Sequence, residues 1–161
     1  NKTITPSKLY KLNLAAGFLH LVQAIVVLVV SKSFTIPVSA NFLAFDDSTQ
    51  TLQPASTSIF GLSLPLLIAS FFFLSAFFHF FIATVYRKKY ESDLKLGINR
   101  ARWIEYSLSA SIMMVAISTL VGVYDFSSLL MIFALTSVMN LMGLVMEVHN
   151  QTTKKNRLAE L

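Results

Sequence analysis

A chain of 161 residues in which 55% are hydrophobic and only 13% are charged is too apolar for a soluble domain of its size and reads as a membrane protein. Its net charge of +5 does not point to nucleic acid, because the cations gather beside apolar stretches on one side of them. With no cysteine the chain has neither disulfides nor thiolate metal sites, which says little about its compartment.

Four apolar stretches, at about 10–31, 59–85, 101–123 and 126–148, each meet the roughly 20 residues a helix needs to cross a ~30 Å hydrocarbon layer. They are continuous rather than alternating, which excludes a membrane-spanning sheet. The expected fold class is an all-α transmembrane helical bundle, with residues 1–161 forming one membrane domain. Lys2, Lys8 and Lys11 stand before or at the start of the first stretch, and Lys154, Lys155 and Arg157 follow the fourth. Arg87, Lys88, Lys89, Lys95, Arg100 and Arg102 lie between or at the ends of the second and third. Those segments share one side, while Lys32, Asp46, Asp47 and Asp125 fall on the other. The positive-inside rule then makes the amino terminus cytoplasmic, with a cytoplasmic connection at 86–100 and a cytoplasmic tail at 149–161.

The first stretch opens on basic residues as a secretory signal does, but its run is too long and contains Asn13, His20 and Gln23, which suits a signal poorly. Asn13, Ala16, His20 and Gln23 share a helical face, a polar stripe turned toward a bundle. The loop at 32–58 begins with Phe34-Thr-Ile-Pro-Val-Ser-Ala-Asn-Phe-Leu-Ala-Phe45, too apolar and β-branched for a flexible linker. Asp46-Asp47-Ser48-Thr49 supplies turn chemistry and Thr51-Leu-Gln-Pro54 a return strand. A short extracellular β-hairpin is expected there, its strands kept short or at an edge by Pro37 and Pro54. Such an apolar flap caps the bundle, makes an oligomer contact, or stands as an ordered loop without a partner.

The second stretch is crowded with phenylalanine at 71–73, 77–78 and 80–81, which reads as lipid contact and packing. Pro65 introduces a kink that neighbouring groups can close around, and Ser75 and His79 stand four apart on one face. The basic connection from Tyr86 to Arg100 carries no phosphate-binding glycine pattern, so its charges anchor the bundle at lipid headgroups, and Gly97 breaks it before the third stretch. The third and fourth meet at Tyr124-Asp125-Phe126, so short a connection that the helices are antiparallel neighbours. Thr136, Asn140, Gly143 and Glu147 share a stripe on the fourth, with Met139, Met142 and Met146 close by. Gly143 admits a close approach by a bulky neighbour. Methionines at this spacing are ordinary packing or line a pocket for a conjugated ligand. Asn150-Gln-Thr152 matches a glycosylation acceptor but falls on the cytoplasmic side.

The chemistry concentrates in the third stretch. Arg102, Glu105, Ser109, Met113 and Ala116 lie on one helical stripe, and an acid at membrane depth costs about 2.5–3.5 kcal/mol on insertion scales unless paired or used. A rise of 1.5 Å per residue sets Glu105 roughly 6 Å, His79 roughly 9 Å and His20 roughly 15 Å from the cytoplasmic ends of their spans. All three occupy the cytoplasmic half, with Glu147 nearer that surface. The outer halves, at 24–30, 59–73, 112–123 and 129–135, contain no ionisable side chain. A transmembrane proton pump needs such groups or ordered water along its whole path, so protons here exchange with the cytoplasm only. Two histidines and an acid in one half of a bundle point to proton reception, whereas either histidine alone reads as an interhelical hydrogen bond. His20, His79 and Glu105 are competent zinc ligands, but they lack the accompanying acids that orient imidazoles on a metal, and no catalytic triad or His-Glu-x-x-His helix is present.

Arg102-Trp-Ile-Glu-Tyr-Ser-Leu-Ser109, with Met113 four further on, resembles the third helix of heliorhodopsins, retinal proteins whose amino terminus faces the cytoplasm. The likeness extends to His20 with Gln23, Ser75 with His79, the strand-forming loop, and Met139 with Gly143. It implies a seven-helix fold in which all-trans retinal forms a protonated Schiff base, and a photosensory role without ion pumping or enzymatic activity. Glu105 would be the Schiff-base counterion, and Ser75 and Ser109 would hydrogen-bond near it. His20, Gln23, His79 and Arg102 would form the proton-accepting cavity. Tyr106, Met113, Met139 and Gly143 would line the retinal pocket. The implied partners are retinal, membrane lipid, a second copy in a homodimer and a cytoplasmic signalling protein; the implied location is the cell membrane.

The resemblance places the attachment lysine on a seventh helix, whereas the four stretches here hold no lysine beyond Lys11 at the cytoplasmic edge of the first. The remaining helices are expected beyond residue 161 or on a separate chain. Two other readings remain: a small proton-coupled transporter or channel relaying protons through Glu105 and the histidines, and a non-catalytic four-helix subunit glued to a partner by its polar stripes.

Overall fold

The computed structural model describes residues 5–159, with side chains through Lys154; Lys2 and the side chains of Lys155 and Arg157 lie outside that range. Helix α1 (Pro6–Val30) starts where Thr5 accepts from the Lys8 amide at 3.4 Å and Pro6 takes the first helical position, an arrangement that satisfies one orphan donor and removes another. Strands β1 (Thr35–Asp46) and β2 (Thr51–Ser63) form an antiparallel ribbon. Helix α2 (Leu64–Ala83), helix α3 (Arg87–Lys95), helix α4 (Arg100–Leu120) and helix α5 (Phe126–Ala159) follow. Of these, α1, α2, α4 and α5 are long and apolar enough to cross a membrane.

The ribbon is longer than its prolines suggested, at 12 and 13 residues. A two-stranded sheet gives each strand a free edge, where a missing N–H costs nothing, so Pro37 pairs with Gly61 and Pro54 with Leu43 without ending the ladder. At the tip, Asp46 Oδ1 accepts from the Ser48 amide at 2.9 Å and its hydroxyl at 2.7 Å, and Gln50 takes a positive φ of 51°. Residues 59–63, expected to open the second helix, belong to β2. A short apolar run serves a strand or a buried helix equally, and pairing with residues 35–38 decides it. Pro65 therefore sits in the first turn of α2, where its absent N–H had no intrahelical partner to lose, and it does not kink the helix.

Two further segments differ from expectation. The connection at 86–100 contains α3, whose buried Tyr90 packs with Ile82 and Ala101 before Gly97 turns the chain at φ 72°. The tail continues α5 as helix through Ala159. Within the bundle, α2 packs against both α1 and α4, and α4 against α5. The buried serines of α4 do not all require partners elsewhere: Ser107 donates to the Ile104 carbonyl at 2.8 Å and Ser111 to that of Ser107 at 2.7 Å, bonds a helix supplies to its own hydroxyls.

The ribbon docks on the end of the bundle away from α3. Ile36 is buried with Leu64 and Ala116, and Ser39 donates its amide to the Tyr124 carbonyl at 2.9 Å. Asp125 joins the two parts, since one oxygen accepts from Asn41 Nδ2 at 3.1 Å and the other from the amide and hydroxyl of Ser128 at 2.8 and 3.0 Å. The second set caps the start of α5.

Candidate functional site

Glu105 points inward from α4 and is 8% exposed. It lines a cavity of about 400 Å³ together with Asn13 and His20 of α1, Phe71, Ser75 and His79 of α2, and Arg102, Tyr106 and Ser109 of α4. Helical spacing explains the convergence, because Ser75 with His79 and Glu105 with Ser109 each stand four apart on the face their helix turns to its neighbour. The Ser75 hydroxyl and the His20 ring line the same chamber as the Glu105 carboxyl.

The two histidines stack, with ring centroids 5.5 Å apart and planes 13° apart, and Phe72 lies on His20 at 6.1 Å. His20 Nδ1 is 2.9 Å from Gln23 Oε1, so Gln23 acts through the imidazole. His79 Nδ1 is 3.0 Å from Asn13 Oδ1. Tyr90 and Asn99 close the cavity at the α3 end.

Arg102 also lines the cavity, but its guanidinium pairs with Glu147, with Nη2 3.4 Å from Oε1, and lies over the Trp103 ring at 4.8 Å. Arg102 shares a stripe with Glu105, but the acid from α5 engages it. Glu147 accepts from Trp103 Nε1 at 2.7 Å and the Asn99 amide at 3.0 Å as well.

A second, apolar cleft of about 280 Å³ adjoins the first through Phe71, Tyr106 and Ser109 and is completed by Ala110, Met113 and Met114. The other two expected pocket residues lie elsewhere. Met139 is 66% exposed on α5, and Gly143 faces the Trp103 indole, which occupies the space a side chain there would fill. Asn13, Phe71, Asn99 and Tyr90 were not singled out as site residues. The polar stripe of α1 carried a signal for Asn13 and helix spacing from Ser75 one for Phe71, whereas Asn99 and Tyr90 reach the site through the fold of the connection.

The heliorhodopsin family model matches residues 9–160. The chain belongs to the heliorhodopsin family. A search of curated proteins finds no match. As a heliorhodopsin the chain is a multi-pass membrane protein of a retinal-binding, light-sensing kind. The paired cavities suit such a ligand: an apolar cleft for a polyene opens onto a polar chamber holding an acid for its charged end.

Proposed function

We propose that this heliorhodopsin is a photoreceptor without net ion transport or enzymatic activity, in which Glu105 is the counterion of all-trans retinal and light moves a proton into the chamber of His20 and His79. The observation that carries the reading is the meeting of one acid and two imidazoles, from three helices, around one chamber beside an apolar cleft. Bound retinal supplies visible absorption and a cationic end whose proton becomes mobile on isomerisation. Glu105 holds that positive charge in place, and Ser75 and Ser109 supply hydroxyls to the same region. His79 and His20 receive the proton, with Gln23 holding the His20 ring. Arg102, already balanced by Glu147, positions the end of the chamber rather than neutralising Glu105. Phe71, Tyr106 and Met113 would line the cleft for the polyene, whereas Met139 and Gly143 lie outside that cleft. The covalent anchor is a lysine outside these four spans.

The cations at the chamber end of the bundle support a cytoplasmic amino terminus, with the ribbon then outside the cell membrane. The outer halves of these four spans lack ionisable side chains, which supports a chamber that exchanges protons with the cytoplasm only. Conformational change is then the signal, read by a cytoplasmic partner, and the exposed apolar ribbon supplies a contact between two copies.

The test is spectroscopic. The intact protein, including the helix that carries the anchor lysine, is reconstituted with all-trans retinal. A visible band is expected, and Glu105→Gln should shift or abolish it because the counterion charge is lost. A sustained light-driven proton current would reject the sensor in favour of a transporter. A colourless protein that is stable only beside a partner would leave the structural-subunit reading.

A further inference from the structure

Two hydrogen bonds in series fix a proton on one named nitrogen of the chamber. Asn13 is 8% exposed and donates its Nδ2–H to the Leu9 carbonyl at 3.1 Å. A carbonyl only accepts, so that bond sets which way the amide faces. The other end, Oδ1, lies 3.0 Å from His79 Nδ1, and an amide oxygen has no proton to offer. The hydrogen between them therefore belongs to Nδ1. Turning the amide over would set its oxygen against the Leu9 carbonyl and lose that bond. A neutral imidazole carries one N–H, which leaves Nε2 with its lone pair.

We propose that Asn13 is a positioning residue that holds neutral His79 in the Nδ1–H tautomer and so designates Nε2 as the atom that takes a proton. The tautomer follows from the geometry alone; its use in proton reception rests on the reading under Proposed function. Once Nε2 is protonated, the Nδ1–H bond to Asn13 becomes charge-assisted and stronger, so the amide favours the imidazolium without competing for the proton as a carboxylate would. His20 differs. Its Nδ1 meets the Gln23 oxygen at 2.9 Å, but among the described residues no second bond orients that amide, so its tautomer is free to follow the chamber. The other charged or titratable groups lining the chamber with His79 are the stacked His20, Glu105, Arg102, Tyr90 and Tyr106, and among the described residues only Asn13 hydrogen-bonds Nδ1.

The experiment is nitrogen NMR of histidine-labelled intact protein in lipid bilayers without retinal, at alkaline pH where imidazoles are neutral. His79 is assigned by the signal lost in His79→Gln. Wild type should show His79 Nδ1 in the protonated range and Nε2 in the unprotonated range. Asn13→Leu should lose that preference, while Asn13→Asp should keep it. A wild-type His79 protonated at Nε2, or an Asn13→Leu protein that retains Nδ1–H, overturns the proposal. Because the wild-type spectrum decides by itself, misfolding of the leucine variant does not rescue it. With retinal bound, Asn13→Leu should slow light-driven protonation of the chamber by about tenfold or more, the scale of one lost hydrogen bond to a charged group. A correct tautomer in a protein that never takes up retinal would sink the photoreceptor reading and leave the role of Asn13 standing.

Discussion

The Trp103 indole donates to Glu147 at 2.7 Å across α4 and α5, and its ring rests in the notch that Gly143 leaves on α5. A side chain at 143 would occupy the space of the indole, so Gly143→Leu forces the helices apart and should destabilise the protein by about 1–3 kcal/mol. Glu147→Ala leaves Trp103 Nε1, the Asn99 amide and Arg102 short of an acceptor and should have a cost of about 1–3 kcal/mol. Trp103 is the only tryptophan in the sequence, so both effects can be read from its fluorescence during thermal unfolding. An unshifted emission maximum in Glu147→Ala would contradict the contact.

Asp125→Asn should loosen the ribbon and the first turn of α5 together. The backbone and then the side-chain hydrogen bonds from Ser128 hold the Asp125 carboxyl below the ordinary aspartate range. A depressed folded value means that the unfolded chain binds the proton first, so the contribution is full above about pH 4 and fades as pH falls through the lower folded value. Protection of the Ser39 and Ser128 amides, relative to the intrinsic exchange rate at each pH, should fall several-fold in the variant at neutral pH, and in the wild type only under acid conditions. Exchange that quickens at one site alone would separate the ribbon from the helix cap.

Asp93 is 1% exposed and gathers Tyr86, Lys89 and Arg100, with the Tyr86 hydroxyl donating at 3.1 Å. Burial first, then the hydrogen bond to Asp93 and its negative charge, push the Tyr86 phenol above its ordinary value. A raised folded value gives stability that is intact below about pH 10 and lost as pH rises through the folded value. Asp93→Asn should lower the ionisation of Tyr86 toward the ordinary value, leaving the part due to burial. Ultraviolet difference titration against a Tyr86→Phe control isolates this phenol. An unchanged curve in Asp93→Asn would show that Asp93 does not govern Tyr86.

Met113 lines the apolar cleft but not the polar chamber. Met113→Trp should fill the cleft, so that less visible pigment forms per mole of protein while the unfolding temperature without retinal changes little. Full pigment yield in that variant would place the polyene elsewhere.

The four long helices and the ribbon were legible because apolar length and turn residues are local signals. Residues 59–63 were misread for a physical reason: an apolar run of five satisfies both a strand and a helix until a partner strand is known. Helix α3 escaped notice because its stability comes from Tyr90 and Asp93 burying themselves against α2 and α4, not from an apolar stripe. The convergence of Glu105, His20, Ser75 and His79 was readable from spacing and depth. The capture of Arg102 by Glu147 was not, since 45 residues separate the two acids' competitor from its partner and both acids lie on plausible faces.

β2 ends at Ser63 and α2 begins at Leu64 with nothing between them. Ribbon and helix thus share one backbone with no loop between them, and the joint is packed where Leu64 meets Ile36 and Ala116. A neighbouring molecule seated on the flap therefore bears on the strand that leads straight into the first turn of α2.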